Sequence, residues 1–356
     1  MEEEGLKRSI SLDPQGFTVC IRCMTYNQAP FIKDAMNGFC LQQTDFQYVA
    51  VIVDDASTDG EPDVIRSYLK KNFLLDEKDG ARKWETEDAH FVFVKHKENR
   101  NCHFAAIFLK YNFYYKKSKE PLMAEWMSKA RYIALCEGDD YWTDKFKIQK
   151  QVDFLDSHHE YFVCSHNFNI LKQDGQLIKR NIIKANYKNI DGFKVYTYNL
   201  DNYFKLWACS TLTVVHRNIA YSKDIDFSGF KRRWDFIDRY FMMEKGLGAL
   251  LEDTMAVYRI QQGGVYSGLS IEERYDLELD QLYSLYLIRR KKPILHDAII
   301  KRMIGYLSLL RTKGEYTKIF KVLFKYFRRL PVSALVPLIS NIYITIKTNK
   351  VNNKKL

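Results

Sequence analysis

In the first 156 residues of this chain, continuous apolar runs alternate with helix-like segments, and acidic clusters follow two of those runs. The runs are 17–23 (FTVCIRC), 48–53 (YVAVIV), 91–94 and 131–136 (RYIALC). A run such as YVAVIV, with no polar alternation, reads as a strand covered on both faces. Between the runs the pattern predicts helices over 30–40, opened by Pro30, over 61–71 after the Asp59-Gly60 turn, over 101–115 and over 144–156. Strands alternating with helices of this length imply an α/β fold with a mostly parallel, Rossmann-like sheet, right-handed crossovers and helices on both faces. After about residue 160 the rhythm changes. A hairpin is expected around Asp174-Gly175, strands near 209–215 and 249–259, and a helix over 235–245. From 272 onward the pattern is helical almost to the end. The expected division is a body at 14–268 and a helical, basic C-terminal region at 272–356.

The loops after the strands narrow the chemistry. A dinucleotide site would follow its first strand with a G-x-G-x-x-G turn, and a P-loop would carry a glycine-framed lysine. Here the first run leads into Met24-Thr25-Tyr26-Asn27-Gln28, with no glycine. Carboxylates stand instead at strand ends, Asp54-Asp55 after the second run and Glu137-Gly138-Asp139-Asp140 after the fourth. In an open parallel sheet the ligand crevice lies at the carboxyl ends of the strands, so both clusters point into it. Carboxylates crowded together repel unless a cation joins them. A hard divalent ion with oxygen ligands, bridging to a diphosphate, satisfies that demand.

Five segments in order then resemble the GT-A-fold glycosyltransferases of family 2, in particular the subgroup that builds bacterial surface polysaccharide. They are Thr25-Tyr26-Asn27, VDDASTDG at 53–60, EGDDYWTDKFKIQKQVDFL at 137–155, Asp235 in RRWDFIDRYF, and Tyr258-Arg259-Ile260 in YRIQQGGVYSG. The resemblance covers roughly 16–268. It implies a GT-A fold and inverting transfer of a sugar from a nucleotide-diphosphate donor, UDP-linked, to a glycan or lipid-linked acceptor. By the same resemblance Asp55 accepts the uracil N3–H, and Met24 and Thr25 lie beside the nucleotide. Asn99 stands near the nucleoside. Asp139 and Asp140 correspond to the acidic motif that holds ribose and a Mg²⁺ or Mn²⁺ ion, with Glu137 in its first acidic position. Asp235 corresponds to the general base, and Arg259 to the segment closing over the donor phosphates. Gln261 replaces the histidine usual after YRI, and Trp234 replaces the usual Gly or Glu before the base. The QxxRW motif of processive members is absent, which implies transfer of one sugar rather than polymerisation.

Charge and cysteine usage complete the reading. Residues 281–356 hold 17 Lys and Arg against two acids, whereas 1–280 hold 38 against 42. A basic tail on a slightly acidic body suggests an anionic surface as partner. Lys318, Lys321, Lys325 and Arg328 share one helical face, and the apolar stretch 332–346 follows, which points to peripheral contact with the inner leaflet of the plasma membrane. Two other classes compete: a nucleic-acid-binding protein working through the tail, and a degenerate transferase that binds sugar nucleotide without turnover. Confinement of the basic excess to the tail and the absence of a nucleic-acid motif disfavour the first. Gln261 and Trp234 keep the second open. Seven scattered cysteines read as reduced core thiols of a cytosolic protein. Cys20 and Cys23 form a C-x-x-C on a strand, where residues three apart face opposite sides and cannot share a metal. The N-terminal residues carry no apolar h-region, and no apolar stretch reaches bilayer-spanning length.

Overall fold

A computed structural model of the chain describes residues 16–114, 116–180, 186–206, 210–218, 235–261, 268–289 and 292–327. Trp207, Trp234, Arg328 and the 332–346 stretch lie outside them. The described residues fall into two compact units, one from 1–224 with 238–260, the other from 225–237 with 261–356.

The first unit is organised by one sheet. Its N-terminal strands are β1 (Val19–Thr25), β2 (Tyr48–Asp54), β3 (Phe73–Leu74), β4 (Arg82–Glu85), β5 (Ala89–His96), β6 (Cys102–Leu109), β7 (Tyr132–Leu135) and β8 (Tyr141–Trp142). There follow β9 (Tyr161–Leu171), β10 (Leu177–Arg180), β11 (Lys188–Ile190), β12 (Phe193–Tyr198), β13 (Val215–Arg217) and β14 (Leu247–Arg259). The main path runs β11-β12-β14-β9-β13-β7-β1-β2-β6-β5-β3. Its centre, β7-β1-β2-β6, is parallel, and antiparallel strands flank it on either side. Every residue of β2 and of β6 is buried, as strands covered on both faces must be.

Helices α1 (Ile32–Cys40), α2 (Glu61–Asn72) and α4 (Lys147–Ser157) cover one face with α3 (Glu120–Met127) on the other, joined there by α5 (Leu200–Leu206) and the C-terminal part of α6 (Asp235–Met243). The two faces enclose separate apolar clusters. Cys23 contributes to the first and Cys20 to the second, so the C-x-x-C pair does straddle the sheet. Of the aromatics at 196–207, Tyr198 and Tyr203 pack into the second cluster.

The segment 101–115 departs from expectation. It holds strand β6, paired in parallel with β2 and antiparallel with β5. CHFAAIFL is apolar all round, and a short run of that kind fits either a buried strand or a buried helix turn. The open edges of β2 and β5 decide in favour of the strand.

The second unit contains α7 (Ile271–Ile288), α8 (Pro293–Thr312) and α9 (Tyr316–Phe327). A reciprocal capping box between Ser270 and Glu273 starts α7. Tyr275 of α7 stacks on Tyr306 of α8 with ring centroids 5.0 Å apart.

Candidate active site

The site is built where β1, β2 and β7 end side by side. Thr25 pairs with Asp54 in register, and Asp55 N–H donates to the Thr25 carbonyl at 3.0 Å. The loop after β1 is clipped to the loop after β2. Asn27 N–H donates to Ser57 Oγ and Ala29 N–H to Asp59 Oδ2, both at 2.8 Å, and Asn27 Oδ1 accepts Thr58 N–H at 2.8 Å. Beneath these contacts lies Glu61, fully buried at the start of α2. Its Oε2 accepts Gln28 N–H and Ser57 Oγ–H, each at 2.9 Å, and its Oε1 meets the Thr25 hydroxyl. Thr25 Oγ1 also lies 2.8 Å from Gln28 Oε1. One hydroxyl proton serves one acceptor. Burial raises the Glu61 carboxyl.

The acidic loop after β7 continues the parallel register past the end of the strand. Cys136 N–H donates to Arg22 O at 3.2 Å and Gly138 N–H to Met24 O at 3.1 Å. A Cβ on Gly138 would stand 2.3 Å from Thr25 Oγ1 and 2.6 Å from Gln28 Oε1, so only glycine allows this approach. Met24 therefore contributes its carbonyl to the loop, and its half-buried side chain packs on the second cluster.

Strand β8 then pairs with β14, Tyr141 opposite Val257 and Trp142 opposite Ala256, which brings Arg259 against the acids. Arg259 N–H donates to Asp140 Oδ1 at 2.9 Å. The guanidinium donates to Asp139 O at 2.6 Å and to Asp34 Oδ2 of α1 at 2.7 Å. It also lies over the rings of Phe31 and Tyr141, at 4.7 and 5.0 Å from their centroids. Burial raises the Asp139 carboxyl against the lowering pull of Arg259, and it raises Asp140 well above the carboxylate range, with the Asp139 charge adding to the effect.

Asp55 is buried and already engaged. Its Oδ1 accepts Phe113 N–H at 2.7 Å and its Oδ2 pairs with Lys119 Nζ at 2.7 Å, stapling the segment after β6 over this edge. A carboxylate has about four lone-pair directions, so a further donor can still be accepted.

Thr25, Met24, Asp55, Asp139, Asp140 and Arg259 are thus gathered at one edge of the sheet. Asn99 is not among them. It precedes β6 and sits at the amino end of the parallel strands. Its Nδ2 donates to Cys40 O at 3.1 Å, to Gln42 O at 2.8 Å and to Tyr48 Oη at 3.1 Å, closing the C-terminus of α1. The nucleoside role implied for Asn99 is corrected to a capping role. Asp235 begins α6, but its side chain lies outside what the structure describes. Gln261 follows β14 in a half-buried position within the second unit. His166 is a core residue, its Nδ1–H donating to Asn167 O at 2.7 Å.

Among the described residues no three His, Cys, Asp or Glu side chains gather to cage a metal. Asp140 is buried and turned onto the Arg259 backbone, which suits a structural acceptor better than a ligand. Asp139 is the more accessible carboxyl of the pair. Asp139 is the residue that would hold a hard divalent ion, which would supply positive charge at this loop.

Sequence reasoning had no hold on Asp34, Glu61 or Lys119. Glu61 is tied to Thr25 across 36 residues and Asp34 to Arg259 across 225, and Lys119 reaches Asp55 only through the path of the backbone.

The model of glycosyl transferase family 2 matches residues 20–227. The Mycobacterium tuberculosis protein Rv1520 is 30% identical over 272 residues, which is 70% of this chain and 61% of the relative. This chain thus spans less than two thirds of the mycobacterial proteins it matches. A putative teichuronic acid biosynthesis glycosyltransferase of Bacillus subtilis, TuaG, is 25% identical over 244 residues, 68% of this chain and 79% of the relative. Among solved structures, S. aureus TarS 1–349 in complex with UDP-GlcNAc superposes with a TM-score of 0.56 at 16% identity, covering 89% of this chain and 82% of that one, a likeness of fold.

Proposed function

The chain belongs to glycosyl transferase family 2, and on that premise we propose that it transfers one sugar, with inversion, from a UDP-linked donor to a hydroxyl of a glycan or lipid-linked acceptor in bacterial surface polysaccharide synthesis. The observation that carries this reading is the bracket of Arg259 on the Asp139-Asp140 loop, pinned by Gly138 beside Thr25 and Asp55. TuaG, named for teichuronic acid biosynthesis, supports the acceptor class, and TarS bound to UDP-GlcNAc supports the donor class.

In this reading Asp55 accepts the uracil N3–H while Lys119 and Phe113 N–H hold its carboxylate in place. Asp139 is the carboxylate offered to Mg²⁺ or Mn²⁺, and the ion supplies positive charge against the leaving diphosphate. Arg259 keeps the acidic loop in position and adds a fixed cation beside the developing phosphate charge. Asp235 takes the proton of the acceptor hydroxyl as its oxygen attacks the face opposite the leaving group, the logic of a single displacement. Gln261 offers an amide, which can donate to a phosphate without carrying charge. The 14–268 body is the transferase domain in this scheme. Work at the inner face of the plasma membrane belongs to the same reading; no helix among the described residues is long and apolar enough to cross a bilayer.

Calorimetric titration of UDP, GDP, CDP and TDP, each with Mn²⁺ and with EDTA, tests the proposal on wild type and Asp139→Ala. The expected result is UDP binding that requires both metal and Asp139. UDP binding indifferent to EDTA would overturn the metal role, tighter binding of another nucleotide the uracil role of Asp55, and no nucleotide binding the whole donor reading.

A further inference from the structure

The two sides of the Asp34–Arg259 ion pair are held very differently. The Arg259 side chain is 10% exposed, that of Asp34 48%. Arg259 is fixed at several points. Its backbone N–H sits on Asp140 Oδ1 and its Nη1 on Asp139 O, and the rings of Phe31 and Tyr141 lie against the guanidinium. Asp34 is fixed at one. It stands in the first turn of α1, and among the described residues Arg259 Nη2, at 2.7 Å, is the sole hydrogen-bond donor to its carboxylate. A half-exposed carboxylate gives up such a pair at little cost, because water replaces the partner and the side chain regains its rotamers. The helix N-terminus goes on favouring its charge after it has turned away. The enclosed guanidinium has no such freedom: without Asp34 it is a nearly buried cation that needs another anion.

A diphosphate fits that demand. The planar fork of guanidinium N–H donors matches phosphate oxygens. The Asp139-Asp140 loop is also there, so an incoming diphosphate approaches acids. Asp34 adds one more negative charge at Arg259. Its departure removes that repulsion and frees the Nη2 donor in one movement. We propose that Asp34 is an exchangeable counter-ion, which occupies Arg259 Nη2 and yields it to the diphosphate of a nucleotide-sugar donor. Arg259 stays where the rings and the acidic loop hold it, and the carboxylate is what moves. Asp34 thereby sets the affinity for the charged part of the donor and leaves the nucleoside contacts alone. The proposal deepens the donor reading and rests on it for the identity of the anion.

The test is calorimetric titration of the full chain with UDP, uridine and inorganic pyrophosphate at fixed Mg²⁺. Asp34→Asn keeps the size of the side chain and an oxygen that can accept from Nη2, and removes the charge. It is expected to bind UDP and pyrophosphate about fivefold more tightly than wild type, with uridine unchanged. Asp34→Glu restores the charge and is expected to return both affinities toward wild type. The gain should vanish when Asp34→Asn is placed on Arg259→Gln, because no guanidinium is left to release. Circular dichroism checks that each variant is folded. UDP and pyrophosphate affinities that stay equal or fall in Asp34→Asn overturn the proposal, since a carboxylate that only props Arg259 in place gives that result. A gain that persists beside Arg259→Gln overturns it too, because it would come from net charge alone. If neither wild type nor Asp34→Asn binds UDP, the donor reading falls, while a pyrophosphate gain that depends on Arg259 still supports the exchange. Equal UDP binding by both leaves the donor reading standing and ends the exchange.

Discussion

Lys147 gives the most direct test of how the core beneath β8 and α4 is built. It is fully buried at the start of α4, its Nζ donates to Gln151 Oε1 at 2.8 Å, and the amine lies 4.0 Å from the Trp142 ring centroid. Gln151 in turn donates to Cys164 O and Thr213 O. Burial lowers the Lys147 pKa from 10.5 to about 7, opposed by Cys136, Cys164 and Asp144. Such a drop means that the folded environment disfavours the charged form by roughly 5 kcal/mol relative to water. Between pH 7 and 10.5 the unfolded chain holds a proton that the folded chain has released. Stability therefore rises with pH across that window, by up to about 1.4 kcal/mol per pH unit, and the contribution is flat below it. Lys147→Met keeps an unbranched apolar stem over Trp142 and removes the titration. Its lost hydrogen bond to Gln151 adds a constant offset of about 1 kcal/mol. The wild-type stability relative to the variant should thus grow by roughly 2 to 3 kcal/mol from pH 7.5 to 9.5. Urea unfolding followed by tryptophan fluorescence, with both proteins run side by side at each pH, cancels titrations elsewhere. Parallel curves across that range would refute the buried, neutral amine.

Gly138→Ala forces a methyl against Thr25 and Gln28 and should cost about 1–3 kcal/mol by overpacking, read as a lower melting temperature together with weaker UDP binding. Arg259→Lys keeps the charge but loses the fork between Asp139 O and Asp34, and kcat/KM for the donor should fall about tenfold; an unchanged value would remove Arg259 from the site. Asn99→Ala should destabilise the fold by about 1–3 kcal/mol while leaving UDP affinity within about twofold, because its partners are the Cys40 and Gln42 carbonyls at and just past the end of α1 and the Tyr48 hydroxyl; a tenfold loss of affinity would return Asn99 to the nucleoside.

The parallel centre of the fold is legible because its strands are apolar without interruption, and the carboxyl-end rule alone places Asp55 and Asp139 at one edge. The same apolar continuity hid β6, since CHFAAIFL has no period to separate strand from helix and only the neighbouring edges decide. Asn99 was misplaced for a related reason. A residue near a strand in sequence can lie at either end of it, and Asn99 precedes β6 rather than following it. Asp34 was out of reach altogether, because its tie to Arg259 spans 225 residues and depends on β8 pairing with β14.

Carboxylates crowd together in both units, and the direction of their titration separates two uses. In the second unit Glu272 is held below the usual carboxylate range by Lys318 and Lys313, so its charge is already answered from within the chain. In the first unit burial holds Asp54, Glu61, Asp139 and Asp140 above that range, and the cations present, Arg259 and Lys119, do not offset it for these four. An acid whose charge is answered contributes structure; an acid held back from ionising gains most from an incoming cation. Both groups are acidic clusters in the sequence, and a count of charges cannot tell them apart. What distinguishes them is burial at the end of a covered strand, and on the proposed reading that is why Asp139, at the β1–β2–β7 edge, rather than the α7 face, would gain from a cation bound with a diphosphate.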